Sequence, residues 1–127
     1  MKVIIADDSK ILRERIISML STIPGVEIVA EAENSHEAMK YIEKLKPDVL
    51  ILDIRMPNGN GIEVLKSIKQ KKLSLIKIIL TNYPLQQYKV KCFELGADYF
   101  FDKANEFEAL KQIVEDLVNS EKGGVKS

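Results

Sequence analysis

Asp7, Asp8, Asp53, Thr81 and Lys103 are the residues of this chain whose types combine into chemistry. Asp7-Asp8 follows the apolar run Val3-Ile4-Ile5-Ala6, and Asp53 ends the run Val49-Leu50-Ile51-Leu52. Thr81 closes a third apolar stretch after Leu80, and Lys103 comes just past Tyr99-Phe100-Phe101. Three carboxylates drawn together repel, each pair by about 3 kcal/mol at ~5 Å and an effective dielectric of ~20. Such a group must take up a proton or attract a cation. Hard oxygen donors with no His or Cys beside them suit Mg2+, which accepts a few carboxylates and keeps several waters. Lys103 adds a positive charge and Thr81 a hydroxyl donor. A carboxylate with a cation, a lysine and a hydroxyl around it is equipped to attack phosphorus, because those groups stabilise charge spread over the equatorial oxygens. Asp53 is the best candidate for the nucleophile, since it alone terminates the most apolar of these runs.

The elements between these residues must bring them together. Ser9 is placed to cap a helix in which Ile11, Leu12, Ile16, Met19 and Leu20 recur at helical spacing, with Pro24-Gly25 after it. A second strand is expected over Val26 to Ala32. Asn34 or Ser35 then caps a helix to Lys46, with Ala38, Met39, Ile42 and Leu45 on its apolar face. Val49 to Leu52 is apolar without alternation, as in a parallel strand covered on both faces. The Pro-, Asn- and Gly-rich loop Met56 to Gly61 leads into a helix from about Ile62 to Lys71. A fourth strand follows over Leu75 to Leu80. Pro84 and Gly96 suit the two ends of the next helix. Tyr99 to Phe101 forms a fifth strand, and Glu106 to Ser120 a last helix with Phe107, Leu110, Ile113, Val114 and Leu117 inward. Alternating strands and helices predict an α/β fold, an open doubly wound five-stranded parallel sheet. In such sheets ligands bind beyond the carboxyl ends of the strands, where all five polar residues fall.

A chain of 127 residues with 46% apolar and 30% charged residues fits one soluble domain. Its 19 basic and 19 acidic side chains cancel, so no direct nucleic-acid contact is expected. No apolar run approaches the ~20 residues that span a bilayer, so no membrane association is expected. With Cys92 the only cysteine and no signal-peptide pattern at the N-terminus, the cytoplasm is the expected compartment.

The acidic pair Asp7-Asp8, Asp53, Met56-Pro57 with Gly61 downstream, Thr81 and Lys103 together resemble the response-regulator receiver family, whose fold is shared with chemotaxis regulators. The resemblance covers residues 1–120 as one receiver domain and leaves 121–127 as a flexible tail. It implies a (βα)5 flavodoxin-like fold and a phosphoacceptor signalling domain of a two-component system, not an enzyme acting on a separate substrate. It further implies phosphorylation of Asp53, with Thr81 and Lys103 assisting. Mg2+ would be held directly by Asp8, Asp53 and the backbone carbonyl of Arg55, and mostly through water by Asp7. A sensor histidine kinase or phosphotransfer protein would be the donor. Thr81 and Phe100 would switch the face of the fourth helix, fifth strand and fifth helix toward a downstream target or a phosphorylation-dependent homodimer. The chain departs from the family's pattern at Ala104, where proline is common, at Asn82, usually Ala or Gly, and at Phe100, often tyrosine.

Competing readings are weaker. An aspartyl-phosphate hydrolase usually carries a second acid two residues after its nucleophile, where this chain has Arg55. The turn Asp7-Asp8-Ser9-Lys10 is acidic and lacks glycine, so it would repel a nucleotide's phosphates. A receiver-like module that binds partners without phosphorylation conflicts with the complete set of site residues. His36 reads as a solvated side chain, Cys92 as inert core, and Lys69-Gln70-Lys71-Lys72 as a solvated helix end. Tyr83, Tyr88 and Tyr99 suit either a partner surface or half-buried packing. The domain stands alone or opens a longer transcription factor.

Overall fold

The computed structural model describes the backbone of residues 1–56, 59–82 and 84–123. Five strands, β1 (Lys2–Ala6), β2 (Glu27–Ala32), β3 (Val49–Leu52), β4 (Ile76–Thr81) and β5 (Tyr99–Asp102), form one sheet in the order β2-β1-β3-β4-β5. All four pairings are parallel. The helices are α1 (Lys10–Leu20), α2 (Ser35–Leu45), α3 (Gly61–Gln70), α4 (Gln86–Glu94) and α5 (Phe107–Gly123). Arg55–Met56 and Gly59–Asn60 pair as a short antiparallel ribbon between β3 and α3. No described helix is long and apolar enough to cross a membrane.

The sheet separates two apolar clusters, which is the physical content of double winding. Ala38 and Ile42 of α2, Val64, Leu65 and Ile68 of α3 and Cys92 of α4 pack on one face, against Ile4, Leu50, Leu52 and Ile79. Ile16 and Leu20 of α1 and Leu110, Val114 and Val118 of α5 pack on the other, against Ile5, Ile51, Ile78 and Leu80. Val49 to Leu52 supplies both clusters, so every one of its residues is buried. That explains why the run is apolar without alternation.

Caps set the helix starts. The Ser9 hydroxyl accepts from Leu12 N, Asn34 from Glu37 N and Asn60 from Glu63 N. The chain therefore chooses Asn34 over Ser35 for α2. Helix α4 has no side-chain cap and begins at Gln86, after Pro84. Gly96, with φ +98, follows its last turn in the left-handed conformation that residue types with a Cβ resist.

Several expectations need correction. Ile11 is 73% exposed, whereas Arg13 is 5% exposed and takes the inward stripe with Ile16 and Leu20. On α5 the fully covered residues are Leu110, Val114 and Val118, while Phe107, Ile113 and Leu117 are only partly buried around them. The 110, 114, 118 spacing faces the sheet squarely, and Ile113 and Leu117 lie on the flank of that stripe. The last helix also continues beyond Ser120 to Gly123. Pro57, Tyr83 and residues 124–127, the end of the expected tail, lie outside the described residues. Tyr88 and Tyr99 are half-buried against the two clusters, His36 is exposed, and Cys92 is fully buried.

One close approach positions the site. Gly61 donates its N–H to Ile54 O at 2.7 Å, and a Cβ built on it would lie 2.3 Å from the backbone oxygen of Asp53. Only a residue lacking that atom lets α3 start so near the end of β3. Gly61→Ala is expected to force the Asp53 backbone aside and destabilise the fold by about 1–3 kcal/mol, outweighing alanine's better helix propensity. A lower urea midpoint at unchanged m-value is the expected readout.

Candidate functional site

The chain reverses direction across the sheet between β1 and β3, which are neighbours although α1, β2 and α2 separate them in sequence. Loops leaving their carboxyl ends diverge there and open a crevice. Asp7 and Asp8 leave β1, and Asp53 leaves β3, at that point. Their carboxylates each offer an oxygen within 4.8 Å of the other two. Asp7 and Asp53 are buried at 3% and 5% exposure, whereas Asp8 faces solvent.

Lys103, from the end of β5, reaches into the same crevice. Its Nζ lies 2.6 Å from Asp7 Oδ2 and 2.8 Å from Asp53 Oδ2. One ammonium thus ties together two carboxylates from different strands. Burial penalises the charged form of Asp7 and pushes its carboxyl above the usual carboxylate range, against the pull of Lys103 and the Ser9 amide. Burial acts to lower the pKa of Lys103, but its hydrogen bonds and Coulombic attraction to Asp53 and Asp7 together outweigh this and hold the ammonium above its ordinary value. Three carboxylates and one lysine sum to a formal charge of −2 when all are ionised. The deficit matches a divalent cation, and the all-oxygen donor set suits a hard one.

Backbone hydrogen bonds set these side chains. Asp53 N donates to Ala6 O at 3.0 Å, tying the end of β3 to the end of β1. Asp53 Oδ1 accepts a long contact, 3.4 Å, from Arg55 N. Lys103 N donates to Thr81 O at 2.9 Å, so the lysine's backbone is anchored to the end of β4. Thr81 is fully buried. Ile79 pairs with Phe100 and Thr81 with Asp102, so strand alternation directs Thr81 and Phe100 to the same face of the sheet. Phe100 is 9% exposed and belongs to the cluster containing Cys92 and Ala97.

The Lys103–Ala104 bond is trans, like every described peptide bond. The turn there is held by side chains. Asp102 Oδ1 accepts from Ala104 N and Oδ2 from the Asn105 amide, both at 2.9 Å, while Glu106 Oε1 accepts from Asp102 N at 2.9 Å. Alanine is therefore accommodated after the lysine. Asn82 is exposed beside Ser9, Ile11, Lys103 and Ala104 at the mouth of the site.

Sequence reading overlooked Arg13. It carries its charge into the core edge beneath the acidic turn, with Nε 2.8 Å from Glu31 Oε1 and Nη1 2.7 Å from Asp7 O. The available signal was its spacing, three and seven residues before Ile16 and Leu20. A charged residue at two inward spacings needs a partner at the edge of the core, and Glu31 near the end of β2, itself 43% exposed, supplies one.

A family model described as the response regulator receiver domain matches residues 3–115. The protein-glutamate methylesterase/protein-glutamine glutaminase of Clostridium acetobutylicum is 34% identical over 119 residues, which cover 92% of this chain and 34% of that protein. The DNA-binding transcriptional activator DevR/DosR of Mycobacterium tuberculosis is 31% identical over 116 residues, covering 91% of this chain and 54% of the activator. The chain thus spans between a third and about half of the length of these relatives. Among solved structures, a LuxR-family DNA-binding response regulator from Staphylococcus aureus superposes with a TM-score of 0.85 at 34% identity, over 93% of this chain and 98% of that one. The response regulator domain of Thermotoga maritima CheB superposes with a TM-score of 0.83 at 27% identity, over 100% and 98%. Since the family match runs from the first strand into the last helix, the chain belongs to the response regulator receiver domain family of two-component signalling.

Proposed function

We propose that this receiver domain accepts a phosphoryl group on Asp53 and that phosphorylation changes what the α4–β5–α5 face binds. The convergence of Asp7, Asp8, Asp53 and Lys103 at the β1/β3 crevice carries the reading. The donor is a phosphohistidine of a sensor kinase or phosphotransfer protein. An Asp53 carboxylate oxygen attacks phosphorus, the phosphorus–nitrogen bond breaks, and the imidazole leaves with its electron pair. Small acyl phosphates serve the same role, with a carboxylate leaving.

The residues divide the work. Asp8 and Asp53, with the backbone carbonyl of Arg55, would hold Mg2+, and Asp7 would act mostly through water. The ion supplies positive charge to the phosphoryl oxygens and offsets the charge deficit of the acidic cluster. Lys103 starts on Asp7 and Asp53 and is within reach of an oxygen added to Asp53. Thr81 donates its hydroxyl to another phosphoryl oxygen. Drawing Thr81 toward the phosphoryl group vacates space on the face it shares with Phe100, and the ring moves into it. The partner surface then includes Gln87, Lys91, Tyr99 and Lys111, on α4, β5 and α5. Downstream output passes either to a DNA-binding or enzymatic effector region like those named among the relatives, or to a second copy of the domain.

Incubation with Mg2+ and acetyl phosphate should add one phosphoryl mass to the chain, and Asp53→Ala or Asp53→Asn should abolish it. Labelling that persists in both variants would place the acceptor elsewhere.

Asp8→Ala should behave differently with and without metal. Without Mg2+ it relieves like-charge repulsion, so the melting temperature should rise by a few degrees. With Mg2+ the wild type should gain stability by linkage while Asp8→Ala gains none. A metal-free melt in which Asp8→Ala unfolds earlier than wild type would contradict this electrostatic account.

The switch is tested with Thr81→Ala. Phosphorylation should alter hydrogen exchange across α4, β5 and α5 in the wild type, whereas Thr81→Ala should accept phosphate with little change there. An equal response in both proteins would remove Thr81 from the coupling.

A further inference from the structure

Arg13 is a buried charge that the phosphoryl chemistry leaves unused. Its side chain is only 7% exposed, so water is a poor alternative partner. The guanidinium spans two elements: Nε and Nη2 face the β2 terminus, at 2.8 Å from Glu31 Oε1 and 3.7 Å from Glu33 Oε2, while Nη1 donates to Asp7 O at 2.7 Å. The other polar atoms of Asp7 are also engaged. Its N–H donates to Ala32 O at 2.9 Å, Oδ1 accepts from Ser9 N at 2.8 Å, and Oδ2 faces Lys103 Nζ at 2.6 Å. Arg13 supplies the last of these contacts, the one on the carbonyl.

That carbonyl belongs to the planar peptide linking Asp7 to Asp8. Fixing its oxygen fixes the plane, and hence the direction in which Asp8 leaves the turn. Asp8 itself faces solvent. We propose that Arg13 is a positioning residue for the cation site, holding the Asp7–Asp8 peptide so that the Asp8 carboxylate points toward those of Asp7 and Asp53. The inference rests on the proposal that these three carboxylates hold Mg2+. Arginine is required because its planar fork satisfies Glu31 and the Asp7 carbonyl together, whereas an ammonium is a point donor on a shorter reach. Glu31 in turn keeps the guanidinium from being an unpaired buried charge.

The test is Mg2+ titration of the full chain, read by calorimetry and by the Asp8 amide resonance, for wild type, Arg13→Lys and Arg13→Met. Arg13→Lys, which keeps a charge beside Glu31, should bind Mg2+ about tenfold more weakly. Its phosphorylation by acetyl phosphate should fall at limiting Mg2+ and recover to within about twofold of wild type at saturation, since only the binding of the ion is impaired. Arg13→Met should shift the affinity in the same direction; should it fail to fold, Arg13→Lys alone decides. An Arg13→Lys protein that melts earlier yet binds Mg2+ with wild-type affinity would overturn the inference and leave Arg13 a stabilising contact only. Failure of the wild type to bind Mg2+ would overturn the metal reading itself, and this inference with it.

Discussion

Two ionised carboxylates from different strands cannot sit buried within a few ångströms of each other unless a positive charge lies between them or one of them takes up a proton. In this domain that charge is Lys103, whose ammonium contacts both Asp7 and Asp53. The contact joins the carboxyl ends of β1, β3 and β5, which lie at positions two, three and five across the sheet. It also explains why the crevice remains short of positive charge: one lysine cannot neutralise three acids, and the imbalance favours a cation there. Removing partners from such a pair exposes the remaining buried charge, so the arrangement is intolerant of change well beyond its direct chemistry.

Everything that fixes the lysine and the acids serves that contact. Asp53 N is bonded to Ala6 O, Lys103 N to Thr81 O, and the turn after Lys103 is closed by Asp102, Asn105 and Glu106. Two apolar clusters on opposite faces hold the sheet rigid behind these bonds. Gly61 lets α3 begin against the backbone of Asp53, and Arg13 braces the acidic turn from beneath. The carboxylates of Asp7 and Asp53 are thus set by backbone geometry and supporting side chains, whereas that of Asp8 faces solvent.

The same connections would provide the route of the proposed switch. Lys103 is anchored to Thr81 through the backbone, and Thr81 shares a face with Phe100. Under the proposed switch, a charge added at Asp53 would act on the ends of β4 and β5 through Lys103 and Thr81. Phe100 has no hydroxyl to satisfy, so its position is decided by packing space alone. The exposed apolar side chains Leu85, Val90 and Phe93 lie at or on α4, the helix next to that space.

The alternation of apolar runs with helical stripes, the continuous run before Asp53 and the capping residues carried the architecture on the sequence alone. So did the chemical character of the site, because acids, hydroxyl and lysine at strand ends are brought together by any parallel doubly wound sheet. Helix faces were legible only in part. Periodicity counts apolar residues, so it placed Ile11 inward and passed over Arg13, and on α5 it favoured Ile113 and Leu117 over Val118. The tertiary structure decided those cases through packing against the sheet and through Glu31, a partner 18 residues away along the chain. The trans bond after Lys103 needed no such partner, because alanine follows and trans is the default for any residue other than proline. Local pattern specifies which segments are buried. Which charged group a buried surface accepts depends on partners that only folding brings within hydrogen-bonding distance.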